Sequence, residues 1–265
     1  YRTGGLLEDI MSSLDTSGPD GGQVTAKGIE EYALECSMNK IFATEALGYI
    51  VDEGVQIHGG YGYTSEYPIE RLYRDSRIYR IFEGTNEINR NLIPVTMLRR
   101  AAKGELPLAE AIAQLKGKLA GGAFARTTEA DLVQAAKDIF LLTLDAGMQK
   151  YGEALAKEQE VLGKLADMSI QAFAMESALL RAQKAAAKDG ARAQLKLDMA
   201  TVFVNTALIY LEGLAKETLS NLAEGDVLAE QLSNLSKLTQ FSPQNIIQLR
   251  QGIADAVSAA GKYVV

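Results

Sequence analysis

Among the acids of this sequence, Glu83 is the one set up for chemistry, because it follows apolar Ile81-Phe82 and precedes a Gly84-Thr85 turn. A carboxylate in that setting, once a bound ligand displaces its water, has its pKa raised towards neutrality, which suits a general base. Taken alone, the same acid is better explained as a solvated residue near a helix start, where the helix dipole favours it. Thr85, Asn86 and Glu87 come next, at the start of a helical pattern. Free N–H groups and a hydroxyl there can meet a phosphate or the polar edge of a ring. Thr85 is also a natural N-cap, and the two roles are compatible.

Gln56-Ile57-His58-Gly59-Gly60 form the second candidate, closing a long apolar pattern. Glycine lets backbone approach a ligand closely, and Gln56 offers a planar amide. A plain glycine C-cap accounts for the same residues. Gly59-x-x-Gly62 is no dinucleotide fingerprint, because a helical pattern and not a strand precedes it. Arg71, Arg74, Arg77 and Arg80 recur every three residues and could form a phosphate ladder, but Glu66, Glu70 and Asp75 lie within pairing distance. Ion pairing, in the interior or between subunits, is the better reading of that run.

The single cysteine, Cys36, and the single histidine, His58, exclude an intrachain disulfide, a cysteine-based zinc site and multi-His metal sites, so no metal is expected. Cys36 reads as a small core residue. With 34 acidic residues against 27 Lys and Arg, the net charge of −7 argues against nucleic acid as a partner.

These residues must be positioned by helices. The chain has 265 residues, 47% of them hydrophobic, and only five prolines, and its apolar residues recur at spacings of three and four. We read an all-α chain. Residues 25–57 read as one long core helix stopped at Gly59-Gly60. Pro68 opens a second helix through Arg71 and Asp75, and a third, capped by Thr85, runs to Arg100 with an expected kink at Pro94. The small-residue stretch 117–128 marks a junction without a sustained packed helix. Helical patterns then cover 129–160, 162–188, 191–224 and a shorter set after Asp226. The domains are therefore read as 1–104, a linker over 105–127, and a second helical bundle over 128–265.

Residues 37–50 align without a gap on 198–211, matching at Met199, Phe203, Ala207, Leu208 and Tyr210. A duplication, or two core helices using similar residues by chance, accounts for this. A gapped comparison sets Phe241-Ser242-Pro243-Gln244-Asn245-Ile246-Ile247 against Phe82-Glu83-Gly84-Thr85-Asn86-Glu87-Ile88, with serine where the acid stands, a match that chance similarity explains best.

Three motifs in order, the Gln56-to-Gly62 turn, the Arg74-Asp75 pair and the Phe82-Glu83-Gly84-Thr85 turn, resemble the acyl-CoA dehydrogenase family. The resemblance covers residues 1–100 with that family's C-terminal helical domain, and the rest is similar, more loosely, to the additional helical domain of the very-long-chain branch. The fold it implies is a helical bundle of the acyl-CoA dehydrogenase C-terminal type followed by a second helical bundle. It implies oxidation of long-chain acyl-CoA thioesters to trans-2-enoyl-CoA in fatty-acid β-oxidation. Glu83 would be the base taking the α proton, and Gly84 the residue that lets substrate pass close. The backbone N–H of Glu83 would serve as a donor to the thioester oxygen. FAD would be contacted by Thr85, Asn86 and Glu87, and by Gln56, Ile57, His58, Gly59 and Gly60 of a neighbouring subunit, with no catalytic role for His58. The implied partners are electron-transfer flavoprotein and further copies of the chain, as homodimer or homotetramer. The implied setting is the cytoplasm of a bacterium or the mitochondrion of a eukaryote. Such enzymes carry further domains around the flavin, so the chain is expected to be a piece of a longer protein and inactive in isolation. The rival reading is a non-catalytic helical module for oligomerisation or membrane attachment. Membrane binding is not favoured, because residues 105–129 lack the basic edge of an interfacial helix.

Overall fold

The computed structural model describes residues 1–122, 124 and 126–264, with the backbone alone at 191 and 192. Residues 123 and 125 of the expected linker, and residue 265 of the expected second domain, lie outside the described residues. The chain divides into two compact units, Tyr1–Met97 and Leu98–Val265. Among the described residues there is no strand.

The first unit holds α1 (Arg2–Ser13), α2 (Gly21–Glu31), α3 (Ala33–His58), a 3-10 turn at Gly59–Tyr63 and α4 (Pro68–Arg77). A second 3-10 turn at Ile78–Arg80 leads towards α5 (Asn86–Ala102), within which the boundary between units falls. The helix expected over 25–57 is in fact two, because the ladder slips at Tyr32, whose N–H bonds Ile29 O at 3.1 Å. Neither Pro nor Gly marks that slip in the sequence. Leu34, Met38 and Ile41, at spacings of four and three, bury the first half of α3, whereas Tyr49 and Ile50 further along are exposed. The helix stops at Gly59, whose φ of 60° only glycine adopts freely. Pro68 sits in the first turn of α4, where its missing N–H costs nothing. Pro94 is buried inside α5, which continues through it.

The second unit holds α6 (Leu108–Gly121), α7 (Glu129–Tyr151), a 3-10 turn at Gly152–Lys157, α8 (Gln159–Asp189), α9 (Gln194–Leu222), α10 (Gly225–Leu238) and α11 (Ile246–Ala260). The stretch taken for a linker therefore contains a helix. Ile112, Leu115 and Leu119 give α6 a buried stripe against α7, and a single interior glycine such as Gly117 lowers helix propensity by only about 1 kcal/mol. The pattern read as one helix over 129–160 breaks at Gly152. Packed on one another, α7, α8 and α9 form the core, with Ile139, Leu144, Leu165, Met175, Leu208 and Leu211 fully buried. Helix α9 is long and apolar enough, by length and composition, to cross a membrane, yet its apolar stripe is part of this core.

Candidate functional site

Among the described residues, Glu83 is the non-glycine residue with positive φ, at 55°, and Gly84 follows at 81°. The two form a left-handed turn between the 3-10 turn at Ile78–Arg80 and α5. Holding a residue with a Cβ in that region costs roughly 1–2 kcal/mol, so the surroundings must fix it. Glu83 itself is exposed, and so are Ile81 and Phe82 before it. Phe82 packs edge-on against Tyr79, with ring centroids 5.2 Å apart. The acid thus follows directly on a pair of outward-facing apolar residues.

The turn is fixed from α3 and α5. Lys40 Nζ donates to Gly84 O at 2.8 Å and to Asn86 Oδ1 at 2.6 Å. Asn89 Nδ2 donates to Gly84 O at 2.9 Å and to Thr85 O at 3.1 Å. Asn86 is only 2% exposed. Its amide donates to Thr44 Oγ1 at 3.0 Å and to Glu45 Oε1 at 3.2 Å, and Arg90 pairs with Glu45 at 2.7 Å. The Asn86 side chain, expected to contact a cofactor, is therefore committed to α3. A short polar side chain just inside a helix start can turn back onto a neighbouring helix as readily as outward. Lys40, Thr44, Glu45, Asn89 and Arg90 escaped the sequence reading. Their one signal is the spacing of Thr44 four residues after Lys40 and of Arg90 four after Asn86, which any polar helix face can show.

Thr85 caps α5, its Oγ1 accepting from Ile88 N at 3.2 Å. Glu87 is exposed, and its carboxyl is held below the ordinary range. A hydrogen bond from its own backbone N–H contributes most, then one from the Thr85 hydroxyl, with the charges of Arg90 and Lys40 adding less. This negative charge already occupies the positive end of α5, so the site suits a ligand edge rich in donors better than a phosphate.

Gln56, Ile57, His58, Gly59 and Gly60 end α3 and are all exposed, Ile57 to 82%. His58 Nδ1 donates to Gly54 O at 2.8 Å, and its ring stands edge-on to Tyr67. From Glu45, beside Asn86, to Gln56 is about 17 Å along α3 at 1.5 Å per residue. One chain does not bring the two candidate clusters together. Of the four arginines, Arg74 pairs with Glu70 at 3.3 Å on the surface of α4. Arg80 lies across α3 at Gly48, where a Cβ would stand 2.0 Å from its Nη2. Among the described residues no three His, Cys, Asp or Glu side chains cluster to hold a metal. Cys36 is half-buried rather than fully within the core, and burial pushes its thiol pKa up.

The first unit thus presents an outward-facing acid on a clamped turn of a helical scaffold. Two family models, both described as the acyl-CoA dehydrogenase C-terminal domain, match residues 6–98 and 135–237. The probable acyl-CoA dehydrogenase of Bacillus subtilis (strain 168) is 48% identical over 272 residues, covering 100% of this chain and 46% of its own length. A crystal structure of acyl-CoA dehydrogenase complexed with FAD from Bacillus anthracis superposes with a TM-score of 0.96 at 46% identity, again covering 100% of this chain and 46% of that one. The human very long-chain specific acyl-CoA dehydrogenase, mitochondrial, is more distant, at 30% identity over 71% of this chain and 33% of its own length. The chain belongs to the acyl-CoA dehydrogenase family and corresponds to its C-terminal helical region. It spans a little under half the length of the Bacillus relatives it matches.

Proposed function

We propose that the chain is the helical part of an FAD-dependent enzyme that oxidises acyl-CoA thioesters to trans-2-enoyl-CoA, with Glu83 as its general base. The observation that carries this reading is the Glu83–Gly84 turn: an acid held in a left-handed conformation, directly after two outward-facing apolar residues, at the start of α5. An acyl chain laid on Ile81 and Phe82 would displace water from the carboxylate and raise its proton affinity. The α proton passes to a carboxylate oxygen of Glu83, and the Glu83 backbone N–H is the donor for the thioester oxygen as charge develops there. FAD, when bound, supplies the acceptor for the hydride that leaves the β carbon. Gly84 keeps side-chain bulk away from the α carbon.

Two features fit that cofactor. The Gln56 amide stands exposed beside a glycine turn, and a Cβ at Gly60 would meet nothing within 4 Å. The first turn of α5 presents the exposed Glu87 carboxylate, an acceptor, to a donor-rich edge. Because the two features are far apart along α3, we assign them to FAD molecules of different subunits, in a homodimer or homotetramer. Exposed Tyr49, Ile50, Ile57, Tyr61 and Tyr63, the last at 87%, support burial against neighbouring protein. The rival reading, a non-catalytic oligomerisation or membrane-attachment module, shares this surface and differs only at Glu83.

The second unit fits a degenerate copy: α9 carries its first aligned stretch as α3 carries that of the first unit, and its second aligned stretch leads into α11 as residues 82–85 lead into α5. Asn245 caps α11, accepting from Gln248 N at 3.1 Å, one position off the alignment with Thr85. Ser242 leaves the copy without a base. Preference for long chains, a place in β-oxidation, electron-transfer flavoprotein as acceptor, and a cytoplasmic or mitochondrial setting belong to the same proposal. The test is the colour of the full-length gene product. It should purify yellow and lose its flavin absorbance on adding a long-chain acyl-CoA, and a colourless product that ignores the thioester would refute the reading.

A further inference from the structure

We propose that Lys40 is the positioning residue for Glu83, an inference that rests on the reading of Glu83 as base. The turn at residues 83–84 is strained at its one side chain, yet among the described residues the hydrogen bonds that hold it bypass Glu83. They act on the next residues instead: the Gly84 carbonyl takes hydrogen bonds from Lys40 and Asn89, and Asn86 is anchored by Lys40, Thr44 and Glu45. Among the described residues Lys40 is the side chain that ties both ends of this segment, because one compact ammonium reaches Gly84 O and Asn86 Oδ1 together. Charge-assisted bonds of this length are about twice as strong as neutral ones. Without them Asn89 still holds the Gly84 carbonyl, but from α5, so the tether of the turn to α3 is lost at that point. The backbone of Glu83 can then leave the left-handed region, and the carboxylate moves away from the substrate's α carbon. The second unit agrees. Where Ser242 stands at the position of the acid, the aligned counterpart of Lys40 is Thr201, which bonds Glu129 instead.

The experiment compares Lys40→Met in the full-length flavoprotein with the same change in a Glu83→Gln background. Lys40→Met should slow flavin reduction by about 10²-fold, the scale of an ångström-sized misplacement, while KM for acyl-CoA and flavin content stay near wild type. In the Glu83→Gln background it should add less than about threefold, since a positioning residue acts through the residue it positions. Equal factors in both backgrounds, or a wild-type rate in Lys40→Met, would overturn the inference. Should Lys40→Met not fold, Lys40→Arg takes its place, because a planar fork does not present one nitrogen to both oxygens. Glu83→Gln alone decides the base reading. Amide exchange at residues 84–89 decides the clamp without reference to catalysis, and it should quicken in Lys40→Met while the middle of α3 stays protected; unchanged exchange there would contradict the clamp.

Discussion

The two acids that matter most to this chain are held in opposite ways. Glu83 faces outward on a strained turn, whereas Asp138 is buried in the second unit. It takes a bond from Arg126 Nη2 at 3.1 Å and one from Gln134 Nε2 at 2.8 Å, with the Arg126 and Asp138 side chains 5% and 4% exposed. Taking two charges out of water is costly, and their attraction offsets that only while both remain. Asp138→Ala should therefore lower stability by roughly 3–5 kcal/mol in urea unfolding. The double change Arg126→Leu with Asp138→Leu should come close to wild type. A small loss in Asp138→Ala would mean that solvent reaches the pair.

At the scale of elements, helix ends decide what the chain can present. A capping box opens α7, in which Thr128 Oγ1 accepts from Asp131 N at 3.2 Å and the Asp131 carboxylate accepts from Thr128 N at 2.9 Å. The bond from Thr127 N–H, then those from Thr128, hold the Asp131 carboxyl below its ordinary range. A depressed folded-state pKa stabilises only above the unfolded value. The contribution should be constant from neutrality down to about pH 4 and be lost in stronger acid. Thr128→Ala should cost about 1 kcal/mol at pH 7 and flatten that acid limb, measured by thermal melts across pH. A steeper acid loss in the variant would contradict the assignment. The end of α3 makes a different prediction. Since nothing among the described residues crowds the Cβ position of Gly60, Gly60→Val should leave the fold intact and lower FAD occupancy and subunit association together. Normal flavin content in an unchanged oligomer would dissociate this turn from the cofactor.

At the scale of the whole molecule, the sequence made some parts legible and hid others for physical reasons. Pro68, Thr85 and Gly59 act through their own backbone geometry, so the ends of α3, α4 and α5 could be read locally. The slip at Tyr32 has no such residue. Helix α6 was obscured because Gly117, Gly121 and Gly122 suggest a linker, while the Ile112, Leu115 and Leu119 stripe gains its meaning only from packing on α7. Glu83 was legible through the motif around it. Its clamp was not, because Lys40 and Asn86 are 46 positions apart and meet only in the folded first unit. Outward-facing apolar residues surround both candidate clusters. The central claim, that Glu83 removes the substrate's α proton, is tested most directly by single-turnover flavin reduction in the full-length Glu83→Gln protein. The substitution keeps shape and removes the base. Flavin should stay bound while its reduction by acyl-CoA slows by at least roughly 10²- to 10⁴-fold; reduction at the wild-type rate would contradict the account.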